Sequence, residues 1–305
     1  MDARQLQFFV AVVEKGSFSE AAKSCYVTQP AISAAIRKLE SELAVRLIER
    51  HPRKIELTVF GQSLYESALG IAADIQMAKA NIEALRRPDR GQVRLGIDQT
   101  IAPNVITDVA SQLLAEFPGM HVEITTGIAW QFEKAILQGD LDFIVAQPPP
   151  PQNRSSELDY EPLFREAVFP VANPRHALAR KARVRDTDFA EHPWCVLRWI
   201  RGHLLWVPDF FAVLDATPPD PLVGSNALSL MRQLLLTTDL IALFPRRLVA
   251  DDLAAGRLVR IGSRRQQIIT TRYLISRRNR HRSPARQAFL DKLLALAASL
   301  DHTIG

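Results

Sequence analysis

The sequence predicts a multidomain α+β fold: a winged helix-turn-helix over residues 1–60, a dimerising linker helix and hinge over 61–90, and an α/β domain over 91–305. Three observations carry this expectation. Short amphipathic helical patterns punctuated by cap residues run up to Leu43, an apolar seam at strict 4-3 spacing follows, and from Gln92 onward strand-like and helix-like runs alternate.

Leu6, Phe9, Val10 and Val13 stand at i, i+3, i+4 and i+7, the apolar stripe of a first helix that Gly16 breaks. Ser17 opens a second helix with Glu20 three residues on, the spacing of a capping box, and Phe18, Ala21, Ala22 and Cys25 repeat the stripe. Thr28 is the expected cap of a third helix, with Pro30 in its first turn, where a missing N–H costs nothing. Ile32, Ile36, Leu39 and Leu43 form the inner edge of that helix. At about 100° per residue, Pro30, Ala34, Arg37 and Ser41 face the other way, flanked by Ser33 and Lys38.

This is the layout of a helix-turn-helix, and the outward residues suit a major groove. The leading half of the third helix, from Gln29 and Pro30 to Ala34, is small and neutral, so it can approach base edges closely. Ser33 is placed to hydrogen-bond a base and Ala34 to touch a thymine methyl, while Arg37 and Lys38 fall nearer the phosphates. A plain three-helix bundle shares the helical spacing but has no need of the small outward residues.

Two short β-like runs, Leu47 to Arg50 and Ile55 to Thr58, bracket His51-Pro52-Arg53-Lys54. They read as a hairpin wing whose tip offers Arg53 and Lys54 to the DNA backbone or minor groove. Next, Leu64, Ala68, Ile71, Ile75, Ala78, Ile82 and Leu85 repeat at 4-3 spacing over three heptads. A globular amphipathic helix has a wider apolar face, so this narrow line is the expected seam between two copies. Pro88 and Gly91 close the helix in a hinge.

Residues 4–65 resemble the DNA-binding domain of LysR-type transcriptional regulators. The matching stretches are Leu6 to Val13, Gly16-Ser17-Phe18 with Ala21-Ala22, Thr28 to Ser33, Ile36 to Glu40, Leu43, Leu47, Arg50, and Leu57-Thr58 with Gly61. The resemblance implies sequence-specific binding to double-stranded promoter DNA by a homodimer or homotetramer, with RNA polymerase as a further partner. It also implies a C-terminal periplasmic-binding-protein-like domain that takes a small-molecule effector between two lobes. The chain departs from the pattern at Ala44, where the family often has glycine, and at Ala34 and Ala35, where it often has large polar residues. Those alanines point to readout through methyl contacts and DNA shape.

Composition fits a globular chain of two domains: 47% hydrophobic, 23% charged, net charge +5. The positive excess favours an anionic partner, yet residues 1–65 carry nine Lys/Arg against seven Asp/Glu. Residues 264–292 carry nine against Asp291 alone, and the expectation for that stretch is a solvated surface, with contact to bent DNA as the alternative. No stretch is apolar and long enough to span a bilayer and no signal-peptide core opens the chain, so a cytoplasmic, DNA-associated bacterial protein is expected. Of two cysteines, Cys25 lies on an apolar helix face and Cys195 beside Trp194, where packing is the expected role. Peroxide-sensing relatives use a cysteine pair within the effector domain, so no disulfide switch is expected here.

Gln92 to Ile97 alternates as a strand, and Ile101, Val105, Val109 and Leu113 mark a helix. Val122 to Thr125 is a second strand, Phe132, Ala135 and Ile136 mark the next helix, and Leu141 to Ala146 is a buried strand. Pro148 to Pro151 cannot pair in a sheet and should form a stiff, exposed loop. Another strand runs from Phe164 to Val171. By resemblance the chain crosses between lobes near Leu163 to Glu166 and returns near Gln266 to Thr270, giving lobe I as 91–162 with 268–305 and lobe II as 163–267.

In the cleft so implied, the first strand-to-helix loop is Asp98-Gln99-Thr100. Many relatives have serine or threonine in place of Asp98, holding an effector carboxylate. Asp98 reads either as a helix N-cap or as an anion that disfavours a carboxylate and selects a neutral or amine-bearing effector. Thr126, Trp199, Ile200 and Asn226 fall by resemblance where relatives line the cleft.

No catalytic constellation, cofactor loop or metal set stands out: there is no Gly-x-Ser-x-Gly and no Gly-x-Gly-x-x-Gly, and His176, His192 and His203 lack cysteine partners. An enzyme is therefore not expected, nor a resident cofactor. A free-standing solute-binding protein would not need the helix-turn-helix, and an architectural DNA protein would not need the α/β domain.

Overall fold

A computed structural model describes residues 1–50, 55–86, 91–127, 129–198, 204–278 and 283–301. It divides into two compact units, Met1–Pro88 with Glu133–Asp142, and Asp89–Phe132 with Phe143–Gly305.

In the first unit α1 (Ala3–Lys15), α2 (Phe18–Ser24) and α3 (Gln29–Leu43) surround a core of Leu6, Phe8, Phe9, Val12, Ala21, Ile32, Ile36 and Leu39. The buried side of α1 includes Phe8 and Val12, while Val10 and Val13, expected on the stripe, are half-buried. Both α2 and α3 pack on α1, so its buried face is wider than a single 3-4 stripe. The capping box belongs to α1: Asp2 Oδ1 accepts the Gln5 N–H at 2.8 Å and Gln5 Oε1 accepts the Asp2 N–H at 2.7 Å. At the expected box only one arm forms. Ser17 Oγ accepts the Glu20 N–H at 3.4 Å, but the Glu20 carboxylate takes Lys23 Nζ at 2.7 Å instead. Thr28 occupies the N-cap position of α3 without a side-chain cap bond.

Leu43, expected on the inner edge, is 37% exposed, because α3 ends there and the chain turns away at Ala44. Ala44 holds φ 54°, a left-handed C-cap that suits glycine. An L-residue there costs about 1–2 kcal/mol, partly offset by the extra unfolded-state entropy of glycine. Ala44→Gly is therefore expected to stabilise the first unit by about 0.5–1 kcal/mol. An unchanged or lower midpoint in its thermal melt would reject that account.

The hairpin follows as β1 (Ile48–Arg50) and β2 (Ile55–Leu57), antiparallel with Ile48 opposite Leu57. Glu40 Oε1 of α3 accepts the N–H groups of Leu47 at 2.8 Å and Ile48 at 3.2 Å, which fastens the hairpin to that helix. The tip with Arg53 and Lys54 lies outside the described residues.

Thr58 Oγ1 then accepts the Gly61 N–H at 3.0 Å, capping α4 (Val59–Arg86). A Cβ on Gly61 would stand 2.0 Å from the Leu47 carbonyl oxygen, so only glycine fits this close approach. The 28 residues of α4 span about 42 Å at 1.5 Å each. The predicted seam divides along it. Ala68 is fully buried in the core of the first unit with Leu64 packed beside it, whereas Ile71, Ile75, Ala78 and Ile82 are exposed. Leu85 has no described side chain.

The second unit is built on a seven-stranded mixed sheet of order β10-β6-β11-β5-β3-β4, with β9 also paired to β6. These strands are β3 (Gln92–Asp98), β4 (His121–Gly127), β5 (Phe143–Ala146), β6 (Leu158–Ala172), β9 (Ala242–Pro245), β10 (Val259–Arg260) and β11 (Ile268–Arg277). A separate parallel pair is formed by β7 (Cys195–Leu197) and β8 (Val223–Ser225). The helices are α5 (Pro103–Glu116), α6 (Ala129–Gln138), α7 (Val207–Val213), α8 (Leu228–Thr237), α9 (Ala250–Ala254) and α10 (Pro284–Asp301).

β3 lies parallel to β4 and β5, and β6 runs antiparallel to β11 along the full length of the latter, from Ile268 opposite Val168 to Arg277 opposite Leu158. Two apolar cores form at the ends of this long pair. One gathers Val93, Leu95, Val109, Leu113, Phe143, Leu274 and Phe289; the other gathers Phe169, Phe189, Trp194, Phe210, Phe211 and Phe244. They are the cores of two lobes, and β6 and β11 run between them.

Three expectations need correction here. Pro148 to Pro151 lie outside any strand, as expected, and Pro150 and Pro151 are exposed, but Pro148 and Pro149 are half-buried. The basic stretch is not simply a solvated surface: Arg272 is fully buried and Arg286 nearly so. A charge count cannot see that strand alternation turns Arg272 inward. Finally, α5 begins only at Pro103 with Ala102 as its N-cap, so Asp98 does not cap it.

Candidate functional site

On the outer face of α3, Gln29, Pro30, Ala34, Arg37 and Lys38 are exposed and Ser33 is half-buried. Arg37 Nη1 donates to Ser33 Oγ at 3.1 Å, so the two residues expected to divide base from phosphate contacts are coupled. Lys38 Nζ stands 3.9 Å from the Glu42 carboxylate, a surface pair that leaves it 70% exposed. In the turn before α3 sits Tyr26, 96% exposed and held at φ 55°. A non-glycine residue at positive φ is strained. No spacing rule singled out Tyr26; its signal was an aromatic at a helix-turn-helix turn.

Between the lobes the chain brings together residues from six separate segments. Asp98 ends β3, and its Oδ1 accepts the Thr100 N–H at 2.9 Å, closing a local turn; both residues are buried. Arg272 on β11 donates from Nη2 to Glu166 Oε2 on β6 at 3.3 Å and to the Thr100 carbonyl at 3.5 Å. Its guanidinium stands 5.7 Å from the Trp206 ring centroid. Trp206 Nε1 and Thr270 Oγ1 both donate to Gln147 Oε1, at 3.0 and 3.2 Å. Arg247 Nη1 lies 3.8 Å from Glu166 Oε1. Trp206 holds φ 67°, an outlier for so bulky a residue.

Burial dominates the electrostatics. It raises the pKa of Asp98, opposed mainly by Arg272, and that of Glu166, opposed by Arg272 and then Arg247. Asp98 Oδ2, Thr100 Oγ1, Glu166 Oε1 and Arg272 Nη1 are buried without a protein partner in hydrogen-bonding geometry. Buried polar atoms are rarely left so, and four in one cluster mark a place where a polar ligand can be received.

Of the expected effector residues, Asp98 and Thr100 sit in this cluster and Gln99 is half-buried next to them. Thr126 and Asn226 are exposed, and Trp199 and Ile200 lie outside the described residues. Arg272, Glu166, Gln147, Thr270 and Trp206 were missed, since each is an ordinary strand, loop or core residue until the topology brings them together. Cys195 is fully buried and its thiol is pushed up to about 11 by burial, which keeps it unreactive. His176 Nδ1 accepts the Leu178 N–H at 3.1 Å and its ring packs on His192, while His203 lies outside the described residues. Among the described residues, no group of three or more His, Cys, Asp and Glu could hold a metal, and no helix is long and apolar enough to cross a membrane.

Comparison with known proteins covers both units. Residues 3–62 match the family described as bacterial regulatory helix-turn-helix protein, lysR family, and residues 86–298 match the LysR substrate binding domain. The chain is 27% identical over 296 residues to the uncharacterized HTH-type transcriptional regulator YeiE of Escherichia coli K12, covering 94% of this chain and 95% of that protein. Its fold matches ArgP from Mycobacterium tuberculosis with TM-score 0.73 at 20% identity, covering 98% of each chain. It also matches full-length LysG from Corynebacterium glutamicum with bound effector Arg, with TM-score 0.68 at 17% identity, covering 98% of this chain and 99% of that one.

Proposed function

We propose, since the chain belongs to the LysR family of transcriptional regulators, that paired copies of α3 read successive major-groove faces of a promoter under the control of a small molecule held between the lobes. As a member of that family the protein is a DNA-binding transcriptional regulator with an effector-binding C-terminal domain. The finer assignment of residues rests on the outer face of α3, which is small and neutral at its start and cationic at Arg37 and Lys38. In this reading Gln29, Pro30, Ser33 and Ala34 meet base edges, and Arg37 steers the Ser33 hydroxyl toward them. Lys38, with Arg53 and Lys54 of the hairpin tip, meets phosphates.

Gel-shift titrations against a promoter duplex and a scrambled duplex, over a range of salt, test this. Ser33→Ala is expected to cut the preference for the promoter by about 1–3 kcal/mol, whereas Lys38→Ala weakens both duplexes alike and lowers the salt slope by about one. The reverse pattern would exchange the two roles.

For the effector, the buried Asp98 carboxylate supports a neutral or amine-bearing ligand over a carboxylate aimed at that spot. LysG carries arginine as its bound effector, an instance of the same fold receiving a ligand that bears an amine and a carboxylate together. Thermal-shift screening of the full chain against amines and carboxylates is the direct approach, since a ligand raises stability with the logarithm of its excess over Kd. Asp98→Ser is expected to weaken the amine hit at least tenfold. Unchanged affinity would remove Asp98 from the site.

A further inference from the structure

The lobe built around Phe189 and Trp194 carries a concave surface of about 680 Å³ that the effector cleft does not use. Lys181, Arg183, Arg185, Arg260 and Arg265 line it, and the one carboxylate among the lining residues is Asp186. We propose that this groove is a second ligand site, for a small polyanion bearing two or more phosphate or carboxylate groups.

The groove is built rather than incidental. Gln266, only 5% exposed, accepts the Ser263 N–H on its Oε1 at 2.8 Å and donates from Nε2 to the Val184 carbonyl at 3.2 Å and to Asp186 Oδ1 at 2.5 Å. It thereby bolts the 181–186 wall to the turn of 260–266. Gly262 enters that turn at φ +81°, and a Cβ there would stand 2.4 Å from Gln266 Oε1. A pre-formed concavity of this size falls in the usual range for small-molecule sites.

Charge selects the ligand. Asp188, buried behind the wall, takes Lys181 Nζ at 2.6 Å and Arg185 Nη2 at 2.8 Å. Counting it with Asp186, five cations still face two carboxylates. Arg260 is fixed by neutral groups, donating from Nη2 to the Ser263 carbonyl at 2.7 Å and Gln267 Oε1 at 3.0 Å, with its guanidinium 4.6 Å over the Phe169 ring. Burial, followed by the nearby Arg264 and Arg246, depresses its pKa, so cations are crowded here at a cost that a bound anion would relieve. A monoanion leaves that excess unbalanced; two or three negative charges on one small body match it. The cations gather in one concavity between the 181–186 wall and the 260–266 turn, which suits a compact body better than a nucleic-acid backbone, which calls for a long stripe of phosphate contacts.

Isothermal titration of the full-length protein with pyrophosphate and with citrate, at constant ionic strength, tests the proposal. The expected result is saturable binding of at least one of them at one site per chain, the better of the two naming the group the site prefers. Arg183→Glu combined with Arg265→Glu, both at exposed positions, should weaken that binding at least tenfold. The same variant should keep promoter affinity, measured without polyanion, within twofold. Absence of saturable heat with both probes, or equal binding by the variant, would overturn the site. A tenfold loss of promoter affinity would instead make the groove a track for DNA phosphates.

Discussion

Arg272→Met is expected to lower the stability of the C-terminal domain by about 3–5 kcal/mol near neutral pH, the cost of breaking a buried ion pair from one side. Arg272 is fully buried against the equally buried Glu166, with Asp98 close enough for Arg272 to be the main charge favouring its ionised form. Removing the cation leaves two carboxylates in a low-dielectric site. The sign of the pH dependence follows. Both carboxyls already have raised folded-state pKa values because burial outweighs their partners, so the folded state takes up protons more readily than the unfolded chain. Their stabilising contribution is complete below the ordinary carboxylate range and is lost as pH rises through the folded values. Without Arg272 those values climb further, so the deficit should be largest near pH 8 and shrink toward about pH 5.

All four tryptophans lie beyond residue 129, so urea unfolding followed by tryptophan fluorescence reports on this half of the chain. A deficit that does not change with pH would mean that packing, and not charge, is what Arg272 supplies. The double variant Arg272→Met with Glu166→Gln should recover most of the loss, as removing both members of a buried pair usually does. Failure to recover would implicate Asp98 as the main counter-charge. Because Arg272 also reaches the Thr100 carbonyl and the Trp206 ring, the single variant is expected to blunt any effector response.

That cluster marks the limit of what could be read from the linear order of residues. The helix-turn-helix was legible because its information is local: Gly16, Pro30 and the Ile32-Ile36-Leu39 edge each act within a few residues. The strands of the α/β domain were legible for the same reason, as alternation or buried runs. The finer capping pattern was less so, because Asp2 with Gln5 and Ser17 with Glu20 present similar spacings, and Lys23 takes the Glu20 carboxylate that would close the second box. Asp98 and Thr100 were found through their loop. Arg272 was counted with a basic surface, and Glu166 drew no notice as a ligand-facing group. Their meeting depends on the register of β6 against β11, which sets Arg272 opposite Phe164 and Thr270 opposite Glu166 across more than a hundred residues of chain.

Ile75→Asp is expected to convert the protein to a monomer without unfolding it, and with that to cost promoter affinity about a hundredfold or more. The seam along α4 is not uniform. Its first two members already have occupants: Ala68 is buried in the core of the first unit and Leu64 packs against that core. Ile71, Ile75 and Ile82 are 38%, 37% and 61% exposed, three isoleucines on one line that the chain leaves partly open to solvent. Covering them with a second copy removes that apolar area from water and delivers two copies of α3 to one DNA molecule. A carboxylate in the middle of the line would be desolvated against its twin in the paired state, yet stays hydrated in the single chain, so the cost falls on association alone. Ala68→Asp supplies the contrast, since it puts the same charge into the fold and should melt the first unit. Light scattering and circular dichroism separate the two outcomes. A monodisperse Ile75→Asp dimer would move the association surface off this line, and a monomer that binds a two-part promoter as tightly as the parent would break the link between pairing and affinity.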